Sequence, residues 1–194
     1  MSRILIMAAV LGVSPSVRVM SEKLNAALHE EINAVNRYEL YSRKAVSEND
    51  RDVGLLFHAA AVSEQVQAEN HKAALSALSA RPAPVALEKV TVGSTQENLK
   101  TAMAFESRQR LAWCGNKVPF LAAAADVFSQ SFDFARDAGF EHEKLFWSAL
   151  VNLRKAPHYY DYYVSRISGK IRVTLSGGAA PAPTGYTDDY FKIR

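Results

Sequence analysis

Four stretches of this chain repeat their apolar residues at alternating steps of three and four, and each stripe is interrupted by a carboxylate, an amide or an imidazole. Leu24, Leu28, Glu31, Val35, Tyr38, Ser42 and Ala45 form the first. The second runs Val53, Phe57, Ala60, Glu64, Gln67, His71, Ala74, Leu78. Leu99, Ala102, Glu106, Gln109 and Trp113 form the third, and Phe128, Phe132, Ala135, Gly139, His142, Phe146, Ala149 and Leu153 the fourth. That spacing puts each set on one helix face. Four amphipathic helices bury their faces against one another, which predicts an all-α four-helix bundle over residues 21–156.

The connections set the topology. Glu48-Asn49-Asp50 is a short break, with Asp50 or Asp52 as the expected cap of the second helix. Arg81-Pro82-Ala83-Pro84 ends that helix and opens a long connector. Ser94-x-x-Glu97 reads as the capping box of the third helix. Gly115, Asn116 and Pro119 end or kink the third helix, and Asp126 is the expected cap of the fourth. The pattern is an up-down bundle with a long crossover between helices two and three, carrying an extended segment at each end.

The ends differ from the middle. Residues 1–20 hold Arg3, Arg18 and an apolar run, Ile4–Val13, with no acidic residue before Glu22. The run is too short to span a bilayer. Such a start suits a signal-peptide apolar region, a mitochondrial-type address or a retained segment that docks on a partner. Residues 157–194 form a C-terminal extension. His158-Tyr159-Tyr160-Asp161-Tyr162-Tyr163 predicts a short fifth helix or its stub, and the Gly-, Pro- and Ala-rich tail from Ser176 predicts no regular structure. Tyr186, Tyr190 and Phe191 in that tail imply that it lies along another protein surface, because they would otherwise sit in water.

Composition removes several classes. At 194 residues with 48% hydrophobic and 22% charged, the chain suits one folded domain rather than a disordered one. One cysteine excludes an internal disulfide framework and a Cys-rich metal site. A net charge of +3, with no dense basic patch, gives no reason to expect nucleic acid as a partner.

The polar residues within the stripes carry the chemistry. A buried carboxylate is costly unless a metal, a cation, a proton or hydrogen bonds compensate it. Glu31, Glu64, Glu106 and His142 come from four different helices, the way carboxylate-bridged iron and manganese bundles are built. Arg37, Arg110 or Lys144 could instead pair with the carboxylates and replace a metal. His71 lies two turns beyond Glu64, too far for both to hold one ion, and is expected to be packed or hydrogen-bonded.

These residues resemble the rubrerythrin branch of the ferritin-like superfamily. Glu31-Ile-Asn-Ala34-Val-Asn-Arg37-Tyr38 looks like the first-helix pattern Glu-x-x-Ala-x-x-Arg-Tyr. Phe57 and Glu64 resemble the second helix, Thr95 to Glu106 the opening of the third, and His142-Glu143-Lys144-Leu145-Phe146 the segment around the last histidine. The resemblance covers roughly residues 21–155. It implies a di-iron carboxylate centre, from which this sequence departs. Gln67 stands where the family's second helix carries a histidine, Gln109 where the third carries a second carboxylate, and Gly139 where the fourth carries a glutamate. The rubredoxin-like Cys-x-x-Cys module is absent. Glu31, Glu64, Glu106 and His142 are what remains, a vestigial or weak metal site with no cofactor or one weakly bound iron.

Two main functions follow as expectations, with iron storage or metal sensing at a single labile site as a third. One is a non-catalytic accessory subunit of a larger assembly, such as a mitochondrial membrane complex. It would contact other protein subunits through the N-terminal segment and the C-terminal tail, without a transmembrane helix. The other is a non-haem iron peroxidase or oxidoreductase of rubrerythrin type.

Overall fold

The computed structural model describes residues 15–113, 122–153, 159–183 and 189–194. Four helices carry the stripes: α1 (Pro15–Ser47), α2 (Arg51–Ala77), α3 (Thr95–Trp113) and α4 (Ala122–Asn152). Three strands follow: β1 (Tyr160–Ser165), β2 (Ile171–Leu175) and β3 (Tyr190–Lys192). Among the described residues, no helix is long and apolar enough to cross a membrane.

α1 turns into α2 through Asn49, whose φ of 68° is the left-handed conformation that asparagine tolerates. The Asp50 amide then bonds back to the Ala45 carbonyl at 2.9 Å, closing the end of α1. From Leu78 the connector runs along α1 in the same direction. Asn25 accepts from the Ala83 amide at 2.7 Å, Asn33 from the Glu88 amide at 2.8 Å, and Tyr41 donates to the Thr91 carbonyl at 3.4 Å. These bonds satisfy connector backbone that would otherwise depend on water. The crossover therefore delivers α3 to the end where α1 finishes. There Glu48 accepts from both the Thr95 amide (2.8 Å) and its hydroxyl (2.6 Å). The Ser94–Glu97 capping box forms, with reciprocal bonds of 2.8 and 3.3 Å.

The apolar interior falls into two clusters. Tyr38, Tyr41, Phe57, Phe105 and Phe146 dominate one, which extends to Tyr162, Val164 and Ile171 of the sheet. Met20, Leu24, Leu28, Leu75, Phe128 and Phe132 build the other. Along α1, Glu31 lies between Leu28 of one cluster and Ala34 of the other; along α4, His142 lies between Phe132 and Phe146. A polar layer thus divides the apolar core.

Several local expectations are corrected. α1 begins at Pro15 rather than at Ser21, so residues 15–20 belong to the bundle and Met20 is fully buried. Proline suits the first helical position because its missing N–H has no partner there anyway. Residues 1–14 lie outside the described residues, as do Gly115, Asn116 and Pro119. Asp50 occupies the cap position of α2 without a side-chain cap bond, and Asp126 sits inside α4. The tyrosine-rich segment expected to be a fifth helix is strand β1. It pairs antiparallel with β2 (Tyr162 opposite Val173) and with β3 (Val164 opposite Phe191). The C-terminal extension is therefore partly ordered sheet. Phe191 lies against this chain's own core, with the Arg166 guanidinium 4.4 Å above its ring. Tyr186 lies outside the described residues.

Candidate metal centre

Each helix delivers one functional side chain to the polar layer, because each stripe holds it at a core position. Glu31, Glu64, Glu106 and His142 are all buried. His142 Nδ1 lies 3.1 Å from Glu106 Oε1 and 3.3 Å from Glu64 Oε1. One donor atom each from Glu64, Glu106 and His142 fall within 4.8 Å of one another. Tyr38 donates to the same oxygen, Glu106 Oε1, at 2.5 Å and helps fix that carboxylate.

Glu31 completes the layer next to Glu64. Apart from the Glu64 carboxyl, no N–H or O–H among the described residues donates to either of its oxygens. Its hydrogen-bonding neighbour is the Glu64 carboxyl, a contact that requires one of the two to carry a proton. On the other side, His71 Nε2 lies 3.6 Å from Glu31 Oε1. His71 is packed as well as hydrogen-bonded, with its ring 5.0 Å from Phe132 and its Nδ1 3.3 Å from the Ser131 hydroxyl.

Burial dominates the protonation of this layer. It lifts Glu31 to about 8, helped by the neighbouring Glu106 charge. It lifts Glu64 and Glu106 to about 7, with Glu31 and Glu64 respectively adding to the effect. For His142 burial disfavours the charged ring, but Glu106 and Glu64 outweigh it and raise the group to about 10. Burial pushes His71 down to about 4, so it is neutral at ordinary pH. The cation between the carboxylates is therefore His142. The three basic residues considered from sequence point elsewhere. Arg37 stacks on Phe105 at 3.9 Å, Arg110 reaches Glu143 at 3.4 Å, and Lys144 reaches Glu141 at 3.5 Å.

A pH dependence follows. The three carboxyls and His142 hold protons more tightly folded than unfolded. The stability they contribute is complete below their unfolded pKa values and is lost as pH rises through about 7 to 10. His71 opposes this only between about 4 and 6.5. The thermal midpoint of metal-free protein is therefore expected to fall steadily from pH 6.5 to pH 10. Differential scanning calorimetry across that range checks it, and Glu31→Gln should flatten the slope.

The substituted positions are equally clear. Gln67 Nε2 donates to the Ser168 carbonyl at 2.7 Å, while its Oε1 is buried with no hydrogen-bond partner among the described residues. Gln109 is buried, and its Nε2 has no hydrogen-bond partner among the described residues. Gly139 offers no donor; a Cβ there would stand 3.0 Å from Glu106 Oε2. Sequence reasoning missed Ser63, whose hydroxyl lies 2.9 Å from His142 Nε2. A small polar residue on an otherwise apolar helix face carries no distinguishing pattern.

No family model matches the chain, and no curated protein matches its sequence. Solved structures of nigerythrin do match. The fully reduced, all-ferrous state superposes with a TM-score of 0.68 at 18% identity, covering 81% of this chain and 78% of that one. The mixed-valent state gives 0.67 at 19% identity, and the partially reduced state 0.68 at 18%, each over the same shares. The chain has the nigerythrin fold. It is a four-helix bundle of the same fold as nigerythrin, with a Glu/His cluster at its centre.

The cluster fits one ion of the iron or manganese class. Glu64, Glu106 and His142 converge, Glu31 presents two buried oxygens with no donor but the Glu64 carboxyl, and oxygen with imidazole nitrogen is the donor set such ions take.

Proposed function

We propose that this protein binds a single iron, or manganese in its place, at Glu64, Glu106 and His142, with Glu31 as the adjoining carboxylate, and that it does not run two-iron chemistry. The observation that carries this is the asymmetry of the polar layer. Three donors from three helices converge on one side, while the remaining positions hold two amides and a glycine. Nigerythrin, by the description of its reduced state, holds ferrous iron. Applied to this chain, that likeness favours iron.

A bound ferrous ion would supply Lewis acidity and a one-electron redox couple. The chain's own residues do the rest. Tyr38, kept protonated by burial, holds Glu106 in place as a hydrogen-bond donor. His142 offers Nδ1 either to a proton or to an ion, so metal uptake displaces that proton. The apolar clusters on both sides keep bulk water from the layer.

A second reading is a non-catalytic accessory subunit, docking in a larger assembly, a mitochondrial one included, through its two ends. One observation favours it: His142 already sits between Glu64 and Glu106, so the interior closes with a proton in the ion's place.

Metal analysis separates the two. The full chain is loaded anaerobically with ferrous iron, freed of excess by gel filtration, and assayed by mass spectrometry. About one iron per chain, lost in Glu64→Gln/Glu106→Gln, is the expected result. No retained iron, with the double variant as stable as the parent or more so, favours the subunit reading. Two irons per chain would overturn both.

A further inference from the structure

The turn between β1 and β2 lies against α2 beside the polar layer. Gln67 Nε2 donates to the Ser168 carbonyl at 2.7 Å, and the Ser63 hydroxyl donates to the Gly169 carbonyl at 2.6 Å. Ser63 has one hydroxyl proton, and a carbonyl can only accept, so that proton is committed to Gly169. His142 Nε2 lies 2.9 Å from the same hydroxyl oxygen. Nε2 must therefore donate to Ser63 and carries a hydrogen in this arrangement. Nδ1 is then the nitrogen left to face Glu64 and Glu106.

We infer that the β1–β2 hairpin is a positioning element for the metal centre, with Ser63 as the residue that transmits its position to His142. This rests on the one-ion reading above. A histidine that binds metal is held in tautomer and orientation by what its other nitrogen donates to. Here that acceptor is a hydroxyl whose own orientation is fixed by the tip of a C-terminal hairpin. Withdrawing the tip frees the Ser63 hydroxyl to rotate, so Nε2–H loses its fixed acceptor and the ring its fixed orientation.

Gly169 makes the close approach possible. Its φ is +69°, and an added Cβ would collide with the Gln67 amide and lie 3.1 Å from the Ser63 carbonyl oxygen. The turn itself is closed independently of α2. The Ser165 hydroxyl accepts from the Ile167 amide at 3.2 Å and the Ser168 amide at 3.0 Å. A displaced tip can therefore keep its local form.

Two variants test this in the full chain. Gly169→Ala pushes the tip off α2 without altering a ligand, and Ser63→Ala deletes the link directly. The metal-free readout is the proton resonance of His142 Nε2–H, assigned by nitrogen-15 labelling of histidine. The parent should show it as a slowly exchanging signal. Both variants should lose it or speed its exchange by about tenfold or more. The second readout is Mn(II) titration, in which both variants should bind about 10–100-fold more weakly than the parent. If the parent binds no Mn(II), the one-ion reading fails, and the Nε2–H signal still decides the link. Ser63→Ala that keeps both the resonance and the parent's Mn(II) affinity would overturn the inference.

Discussion

His142→Leu is expected to lower the stability of the metal-free protein by about 3–5 kcal/mol at pH 8, roughly 6–20 °C in thermal midpoint. The leucine fills most of the ring's space, so cavity formation is a minor part. The larger part is electrostatic. Glu106 and Glu64 lose the imidazolium 3.1 and 3.3 Å away, and no other cation among the described residues reaches them. They must then take up protons or remain as uncompensated buried charges. Glu31→Gln should behave in the opposite way. No donor other than the Glu64 carboxyl serves the Glu31 carboxylate, and burial already raises its pKa to about 8, so an uncharged side chain of the same shape is neutral or stabilising. Denaturant titrations of the two variants at pH 8 measure both. A His142→Leu midpoint within a degree or two of the parent would show that the layer does not depend on this ion pair.

The triple variant Gln67→His/Gln109→Glu/Gly139→Glu is expected to raise bound iron from about one to about two per chain. All three positions lie one helical turn from a retained donor, on the same buried faces: 67 after Glu64, 109 after Glu106, 139 before His142. Position 139 matters most. A Cβ there already comes within 3.0 Å of Glu106 Oε2, so a glutamate at this site has its carboxylate next to the cluster. Losing the Gln67–Ser168 bond costs roughly 0.5–1.5 kcal/mol, small beside the binding of an ion. Iron analysis and the near-ultraviolet band of an oxo-bridged pair report the outcome. A triple variant that folds and still holds one iron would show that the missing donors are not what limits the parent.

The bundle and its four central residues were legible because helical periodicity and burial report the same fact. Glu31, Glu64, Gln67, His71, Glu106, Gln109 and His142 interrupt apolar stripes, and all are buried. A polar side chain at a core position in a three-four repeat is a strong signal, since its burial needs compensation. What compensates it was less legible. The sequence offered Arg37, Arg110 and Lys144 as cations, yet the charge in the layer belongs to His142, whose pKa depends on neighbours from other helices. The sheet was hidden for a different reason. Strand β1 is buried on both faces from Asp161 to Ser165, so it shows no alternation of apolar and polar residues. One of its partners, β3, lies at the far end of the chain. The start of α1 at Pro15 was masked by the basic, apolar character of the first twenty residues, which reads as an address rather than as a helix.

The most direct test is anomalous diffraction from crystals of the full chain loaded with Mn(II), collected at an energy where manganese scatters anomalously. The expected map has one strong peak per chain, within bonding distance of Glu64, Glu106 and His142 Nδ1. Two peaks in the layer, a peak elsewhere, or an empty layer at saturating Mn(II) would contradict the account.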